Sequence, residues 1–308
     1  MPASSAKIST IVRSHMLRLW LRASFRLGGV LRPQATLRRA GDLFCTPFPS
    51  SRERALAAPT GRAAEADLDL AGQHIHTYVW GDPEVQPYVL FAHGWSSHGT
   101  RFLPWVEQLR AGGYAVVAFD QPAHGRSSGR RATLPEFAQT LAAVGQRFGP
   151  AAALVGHSLG GAAAAIAMAR GLAVERAVLI APAADPVDAA LRFARVVGLP
   201  ARLRRRMVAM FESMVGTSFA EYQAQNNAPR IARPALIVHD LDDREVPWAE
   251  GERYARYWPD SRLLSTRGLG HNRIAQHEDV ITAALCFLRG ETVGQRVVST
   301  PELPYGIA

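Results

Sequence analysis

The sequence predicts an α/β fold: a mostly parallel eight-stranded sheet with helices on both faces and a helical cap inserted between strands 6 and 7. Three observations predict it. From Ala66 onward, short apolar runs alternate with longer segments of helical periodicity. Glycine-containing turns separate many of them, as expected where one element hands over to the next. The alternation is interrupted once, between Pro186 and Pro229, where only helix-like segments occur.

The elements read as follows. Ala66–Leu70 and His74–Trp80, joined through Ala71, Gly72 and Gln73, form a hairpin. Tyr88–Ala92 is a short apolar strand, and Arg101–Ala111 is a helix ending at Gly112 and Gly113. Ala115–Phe119 is a strand followed by a glycine-rich loop, and Leu134–Phe148 is a helix. Ala151–Gly156 is a strand leading into an alanine-rich helix, Leu159–Arg170. Ala177–Ala181 is a strand stopped by Pro182. Asp188–Val197, Ala201–Val215 and Phe219–Asn226 make the helical insertion. Ala235–His239 and Arg262–Ser265 complete the strands, and Arg273–Leu288 is the last long helix. In such a sheet the strand ends meet along one edge, where open α/β sheets place their sites.

The expected organisation is a basic N-terminal segment with a helix (1–62), a core (63–185 and 230–290), a helical cap (186–229) and a loosely ordered polar tail (291–308). Residues 1–62 hold eleven basic and two acidic side chains, which is the whole net charge of +9; the remaining residues carry 24 of each sign. A nucleic-acid-binding globule carries its basic surplus on the fold itself, so no nucleic-acid partner is expected. Arg202, Arg204, Arg205 and Arg206 read as a solvated helix face. The two cysteines, Cys45 and Cys286, have neither metal-type nor redox-type spacing and suit a reducing compartment. The expected location is therefore cytoplasmic, with room for peripheral membrane contact.

That contact concerns residues 8–27. Val12, Met16, Leu19, Ala23 and Leu27 form one helical stripe, and Arg18, Arg22 and Arg26 a neighbouring basic one. Leu17, Leu21 and Phe25 fall on yet another side. Two readings stand: a helix resting on an anionic membrane surface, or one packed on its own protein or a partner subunit. The arginines interrupt the run too often for a membrane span or the apolar region of a signal peptide.

The strongest local signal is Gly156-His157-Ser158-Leu159-Gly160, with Gly161 next. In a chain with 26 glycines the pattern alone is of moderate specificity, but it lies between a strand and a helix. In that context G-x-S-x-G is a nucleophile elbow, a turn that lifts Ser158 off the sheet. A serine hydroxyl needs a base. Of the ten histidines, His271 is the best placed, because it follows the strand Arg262–Ser265 and the turn Gly268-Leu269-Gly270. His239, at a strand end, is the rival; His277 points elsewhere, and His74 and His76 look structural.

The base needs a carboxylate to fix its tautomer. Asp240, Asp242 and Asp243 compete in one loop, and Asp185 is a fourth candidate; all four keep the chain order Ser, Asp, His. An oxyanion requires donors, for which the backbone N–H groups of Leu159 and Trp95 are the candidates. Trp95 lies in the loop His93-Gly94-Trp95-Ser96-Ser97, where Gly94 permits a close turn.

Together these residues resemble the α/β-hydrolase superfamily over roughly residues 66 to 290. Five motifs occur in order: His93-Gly94-Trp95; the run Asp120 to Ser127; the elbow at Ser158; the acid loop ending at Pro247; and Gly270-His271. The second is usually D-x-P-G-H-G-x-S, and here Ala123 stands where glycine is common. The resemblance places the acid four residues before the loop proline, at Asp243. It also sets aside the dehalogenases and epoxide hydrolases, which carry aspartate at the elbow, and the polyester synthases, which carry cysteine.

The resemblance implies a serine hydrolase acting on a small-molecule carboxylic ester without metal or organic cofactor. Other readings are a lysophospholipase or monoacylglycerol-type lipase, a thioesterase or acyltransferase, and a non-catalytic ligand-binding member of the fold. Met207, Met210, Phe211 and Met214 sit at helical spacing and read either as an acyl channel or as ordinary packing. Oligomeric state has no signature in the sequence.

Overall fold

The computed structural model describes residues 3–70 and 72–297, with side chains from residue 16 onward apart from Ala71. Its strands are β1 (Ala64–Leu70), β2 (Gln73–Trp80), β3 (Tyr88–Ala92), β4 (Ala115–Phe119), β5 (Ala151–His157), β6 (Val174–Ile180), β7 (Ala235–Asp240) and β8 (Ser261–Thr266). Its helices are α1 (Ala3–Leu31), α2 (Pro33–Cys45), α3 (Pro49–Ala57), α4 (Leu103–Ala111), α5 (Leu134–Phe148), α6 (Leu159–Ala169), α7 (Pro186–Val196), α8 (Ala201–Val215), α9 (Ala224–Asn227), α10 (Trp248–Tyr257), α11 (Gly270–Arg273) and α12 (Glu278–Leu288). The eight strands form one sheet in the order β1-β2-β4-β3-β5-β6-β7-β8. β1 and β2 are antiparallel, β2 meets β4 antiparallel, and every later pair is parallel.

Parallel strands covered on both faces need apolar residues throughout, and β3, β4 and β7 are buried at every position. Alternate residues serve opposite faces. Val89, Phe91, Val155, Ile180 and Val238 share one core with Trp105 and Leu109 of α4 and with Val280, Ile281 and Ala284 of α12. On the other side, Leu90 meets Gly145 of α5 so closely that a Cβ on that glycine would lie 3.4 Å from Leu90 Cδ2. The edge strand β1 carries exposed acids along its length, which blunts edge pairing.

The chain divides into two compact units. One comprises Thr46–Asp185 and Ala220–Ala308 and holds the sheet. The other comprises Met1–Cys45 and Pro186–Phe219, and is all helical among the described residues. In the helical unit, Phe44 packs its ring 5.1 Å from that of Phe193 and 4.9 Å from that of Phe211. Met207 and Phe211 are buried, a Cβ on Gly41 would sit 2.8 Å from Met210 Cε, and Met214 is exposed.

The helical periodicity at residues 8–27 extends in the structure to Ala3–Leu31, and two further helices, α2 and α3, follow. α3 lies in the sheet-bearing unit, where Arg52 Nη1 donates to Ser127 O at 3.1 Å and Arg52 Nη2 to Gly129 O at 3.3 Å. The last helix is shorter than the sequence reading of Arg273–Leu288, because a turn of tighter helix intervenes and His277 becomes the N-cap of α12. Gln295 of the tail is tied to Leu263 by two backbone hydrogen bonds of 2.7 and 2.8 Å. The rest of the tail, 298–308, and Ala71 of the hairpin turn lie outside the described residues.

Candidate active site

Ser158 follows β5 at φ +55° and ψ −121° and is the N-cap of α6. That backbone conformation strains a residue bearing a Cβ, by about 1–3 kcal/mol. The Ser158 N–H donates to Ile180 O at 2.9 Å and helps hold the turn. Glycines make room for it: a Cβ on Gly156 would lie 2.7 Å from Gly160 O, and one on Gly160 would lie 2.2 Å from Ala92 O. The consequence is a serine that is only half-buried, beside a His157 that is almost fully buried.

His271 is the second residue of α11 and follows Gly268 and Gly270, whose φ values are +79° and +65°. Its Nε2 lies 2.9 Å from Ser158 Oγ and its Nδ1 lies 2.7 Å from Asp243 Oδ2. An ionised carboxylate only accepts, so Nδ1 carries the proton donated to Asp243 and Nε2 presents its lone pair to the hydroxyl. Asp243 Oδ1 accepts from the Glu245 and Val246 N–H groups at 2.8 and 3.0 Å. Burial opposes the Asp243 charge; the His239 and His271 imidazoles and the Val246 N–H outweigh it and hold the carboxyl well below the usual range.

The rival residues have other partners. Asp240 accepts from Thr266 Oγ1 at 2.7 Å and Leu269 N–H at 3.0 Å, which ties the end of β7 to the turn before His271. Asp242 accepts from Gly268 N–H at 3.0 Å. Asp185 takes Arg253 Nη1 at 2.9 Å and Gln223 Nε2 at 2.7 Å. His239 is fully buried; its Nε2 lies 3.0 Å from Val246 O and 3.5 Å from Asp243 Oδ2. His74 faces Asp69, and His76 bridges Asp67 and Glu65. Among these candidates only Asp243 touches His271.

The loop after β3 passes directly against the elbow, since a Cβ on Gly94 would lie 2.8 Å from Ser158 Cβ. The Trp95 and Leu159 N–H groups donate to no acceptor among the described residues. The loop itself is firmly held. Gln121 N–H donates to His93 Nε2 at 2.9 Å and His93 Nδ1–H donates to Gly94 O at 2.7 Å. Ser96 N–H donates to His124 Nε2 at 3.0 Å, and His124 Nδ1–H donates to Pro122 O at 2.8 Å. Burial pushes both imidazoles down to about 3, so both are neutral near pH 7 and able to accept as well as donate. Phe48 N–H reaches Ser96 Oγ at 3.1 Å, which brings the segment before β1 to this loop.

His157 is a further support. Its Nε2–H donates to His271 O at 2.8 Å and its ring centre lies 4.9 Å from that of His271. Burial holds it well below its ordinary value. The sequence gives no role to His93, His124 or His157, although each lies inside one of the quoted motifs. The available signal is that, with His271, they make four of the ten histidines at motif positions. Each also has one backbone partner too far along the chain for spacing to reveal: Gln121, Ser96 and His271 respectively.

A sequence model of the alpha/beta hydrolase family matches residues 89–284, which includes β3, the elbow, the acid loop and His271. The chain belongs to the alpha/beta hydrolase family. Solved structures of other members carry the same fold at low identity. An esterase from Exiguobacterium antarcticum is 18% identical, with a TM-score of 0.57 over 73% of this chain and 100% of its own. A monoacylglycerol lipase from Paleococcus ferrophilus is 23% identical, with a TM-score of 0.56 over 71% and 99%. A bacterial membrane phospholipase A is 21% identical, with a TM-score of 0.58 over 90% and 98%. A comparison with curated proteins finds no match. Membership in the family supports hydrolase activity for this alpha/beta hydrolase. Among its described residues no group of three or more His, Cys, Asp or Glu side chains is arranged to hold a metal ion.

Proposed function

We propose that the protein is a serine hydrolase that cleaves a small-molecule carboxylic ester through an acyl-enzyme on Ser158. The observation that carries this reading is the double contact of His271, 2.9 Å from Ser158 Oγ on one side and 2.7 Å from Asp243 on the other. Ser158 Oγ attacks the ester carbonyl carbon while His271 Nε2 takes the hydroxyl proton. Asp243 stabilises the imidazolium that results and keeps its orientation. The carbonyl oxygen, now negative, accepts from the Trp95 and Leu159 N–H groups, aided by the positive end of α6. The C–O bond breaks, and the leaving alcohol takes its proton from His271. Water then attacks the acyl carbon with His271 again as base, releasing the acid and restoring Ser158.

The test is a short-chain ester assay with fluorophosphonate labelling. Wild type is expected to hydrolyse the ester and to be labelled, and Ser158→Ala to do neither. Full activity and labelling in Ser158→Ala reject Ser158 as nucleophile. A folded wild type that is never labelled and binds a small ligand tightly instead supports a non-catalytic member of the fold.

A further inference from the structure

α1 is apolar on two opposed faces, and the helical unit buries only one of them; on the other, Arg39 of α2 lies over the edge of the stripe, 5.9 Å from the Trp20 ring centre. Phe25 is fully buried, and Gly29 turns inward, where a Cβ would come within 2.6 Å of Pro200 Cγ. Arg202 Nη2 donates to Gly29 O at 3.0 Å and closes that side. On the opposite side Met16, Leu19, Trp20, Leu27, Val30 and Leu31 are each between 61% and 69% exposed. At helical spacing these six share an arc of about 120°, and between Met16 and Leu31 no polar residue falls within it. Arg22 and Arg26, both exposed, lie along one flank of that arc, while Arg18 falls on the opposite side of the helix. The periodicity in the sequence looks mixed because two apolar stripes face away from each other.

Such a stripe needs an occupant, and charge selects one. Residues 1–41 contain eight basic side chains and no acidic one. A second copy laid along the same stripe would bring two arginine rows together with no carboxylate of that segment between them, which like-charge repulsion opposes. An anionic bilayer offers the complement: acyl chains for the stripe, and phosphates whose geometry suits the guanidinium fork. No helix among the described residues is long and apolar enough to cross a membrane, so the contact lies in the plane of the surface. The sixteen residues from Met16 to Leu31 would cover about 24 Å of it.

We infer that the outward stripe of α1 inserts into the interfacial layer of an anionic membrane, with the flanking arginines on lipid phosphates. The inference does not rest on the ester hydrolysis proposed above, and its test reads binding alone. The full-length protein is to be sedimented with phosphatidylcholine vesicles, with and without about 30% phosphatidylglycerol, a composition that supplies negative surface potential. Wild type is expected to pellet with the anionic vesicles and to be released by salt. Leu19→Glu with Leu27→Glu should abolish pelleting while the thermal unfolding transition is retained. Arg22→Gln with Arg26→Gln should weaken partitioning about 25-fold, each arginine contributing roughly fivefold near such a surface.

A second readout needs no disruptive change. Brominated acyl chains should quench indole emission in wild type, and markedly less in Trp20→Phe. Wild type remaining in the supernatant with anionic vesicles overturns the inference, as does undiminished pelleting of the double glutamate variant, or equal quenching in wild type and Trp20→Phe. A dimer that the glutamate pair dissolves, without vesicle binding by wild type, assigns the stripe to contacts between copies and also overturns it.

Discussion

In the sheet-bearing unit Asp120 is fully buried, yet it accepts from Tyr78 Oη, Gly99 N–H and Arg126 N–H at 2.7 to 2.9 Å. In the helical unit Leu19 and Leu27 stand 62% exposed. The two regions depart from the ordinary rule of burial in opposite directions. A buried carboxylate or imidazole costs several kcal/mol unless every polar atom is answered, so a chain that keeps Asp120, His93 and His124 inside has a use for the loops they fix. An exposed leucine costs little by itself, but an uninterrupted stripe of them marks a surface meant to be covered. The first pattern points to chemistry and the second to contact.

The sharpest way to break this contrast is at the hydroxyl. Ser158→Ala should lower kcat for ester hydrolysis by about a millionfold, as loss of a nucleophile does elsewhere, and leave the thermal midpoint close to wild type. Activity retained within tenfold of wild type would remove the chemical half of the comparison. Asp243→Asn comes next, with an expected loss of about 10⁴-fold in kcat. The asparagine can offer an N–H to His271 Nδ1 and so favour the wrong tautomer. The carboxyl is held well below the usual range, so its stabilising charge is present above about pH 4 and fades only as pH falls further. An acid limb of the rate profile near neutrality should therefore not belong to Asp243.

Within the helical unit, the two faces of α1 can be weighed by stability. Phe25→Ala should destabilise that unit by about 3–5 kcal/mol, the usual cost of deleting a buried aromatic ring. Leu27→Ala, on the outward stripe, should change stability by no more than about 0.5 kcal/mol. Urea unfolding followed by helical circular dichroism separates the cases. Equal losses would mean that the stripe is not a free face.

How far this contrast could be read in advance differs between the regions. The strands were legible because runs such as Val89–Ala92 and Ala115–Phe119 are buried on both faces and admit no polar residue. Ser158 was legible because its turn demands glycine at 156 and 160. The choice among Asp185, Asp240, Asp242 and Asp243 was not settled by spacing, since each carboxylate has a local or tertiary partner that spacing does not encode. Residues 1–62 read as one basic segment because charge is their common feature. In the structure 1–45 and 46–62 fall in different units, a division made by contacts with residues far along the chain. Thr36, Leu37, Ala40 and Gly41 of α2 do share a buried helical face, but the arginines between them mask it.

Acidification should act on the polar interior first. His93 and His124 are each pushed down to about 3 by burial, against about 6.5 in an unfolded chain. Their folded values lie below the unfolded ones, so the stability they contribute is present above about pH 6.5 and is lost as pH falls toward about 3. Near pH 5 the unfolded chain binds two protons that the folded chain refuses, and stability should fall by about 2.7 kcal/mol per pH unit from this pair. Urea midpoints at pH values between about 4.5 and 6.5 measure the slope, provided the m-value holds. His124→Gln, whose amide can both accept and donate, should reduce it by about 1.4 kcal/mol per pH unit, the share of one proton. A flat profile would mean that these rings are not the neutral pins of the loop after β3.

The smallest effect concerns His157, whose hydrogen bond to His271 runs to the carbonyl and not to the imidazole. Losing one such hydrogen bond is worth about 1–1.5 kcal/mol, so His157→Leu should lower kcat roughly tenfold. His157 is almost fully buried and so away from a bound substrate, and KM should stay unchanged. His157→Gln can place an amide N–H where imidazole Nε2–H stood, and should recover most of the rate. A role limited to packing would make the comparison come out the other way. Leucine, being apolar, would then be tolerated at this buried site and glutamine would not. The ordering of these two variants therefore reports whether His157 positions His271 or merely fills the space beside it.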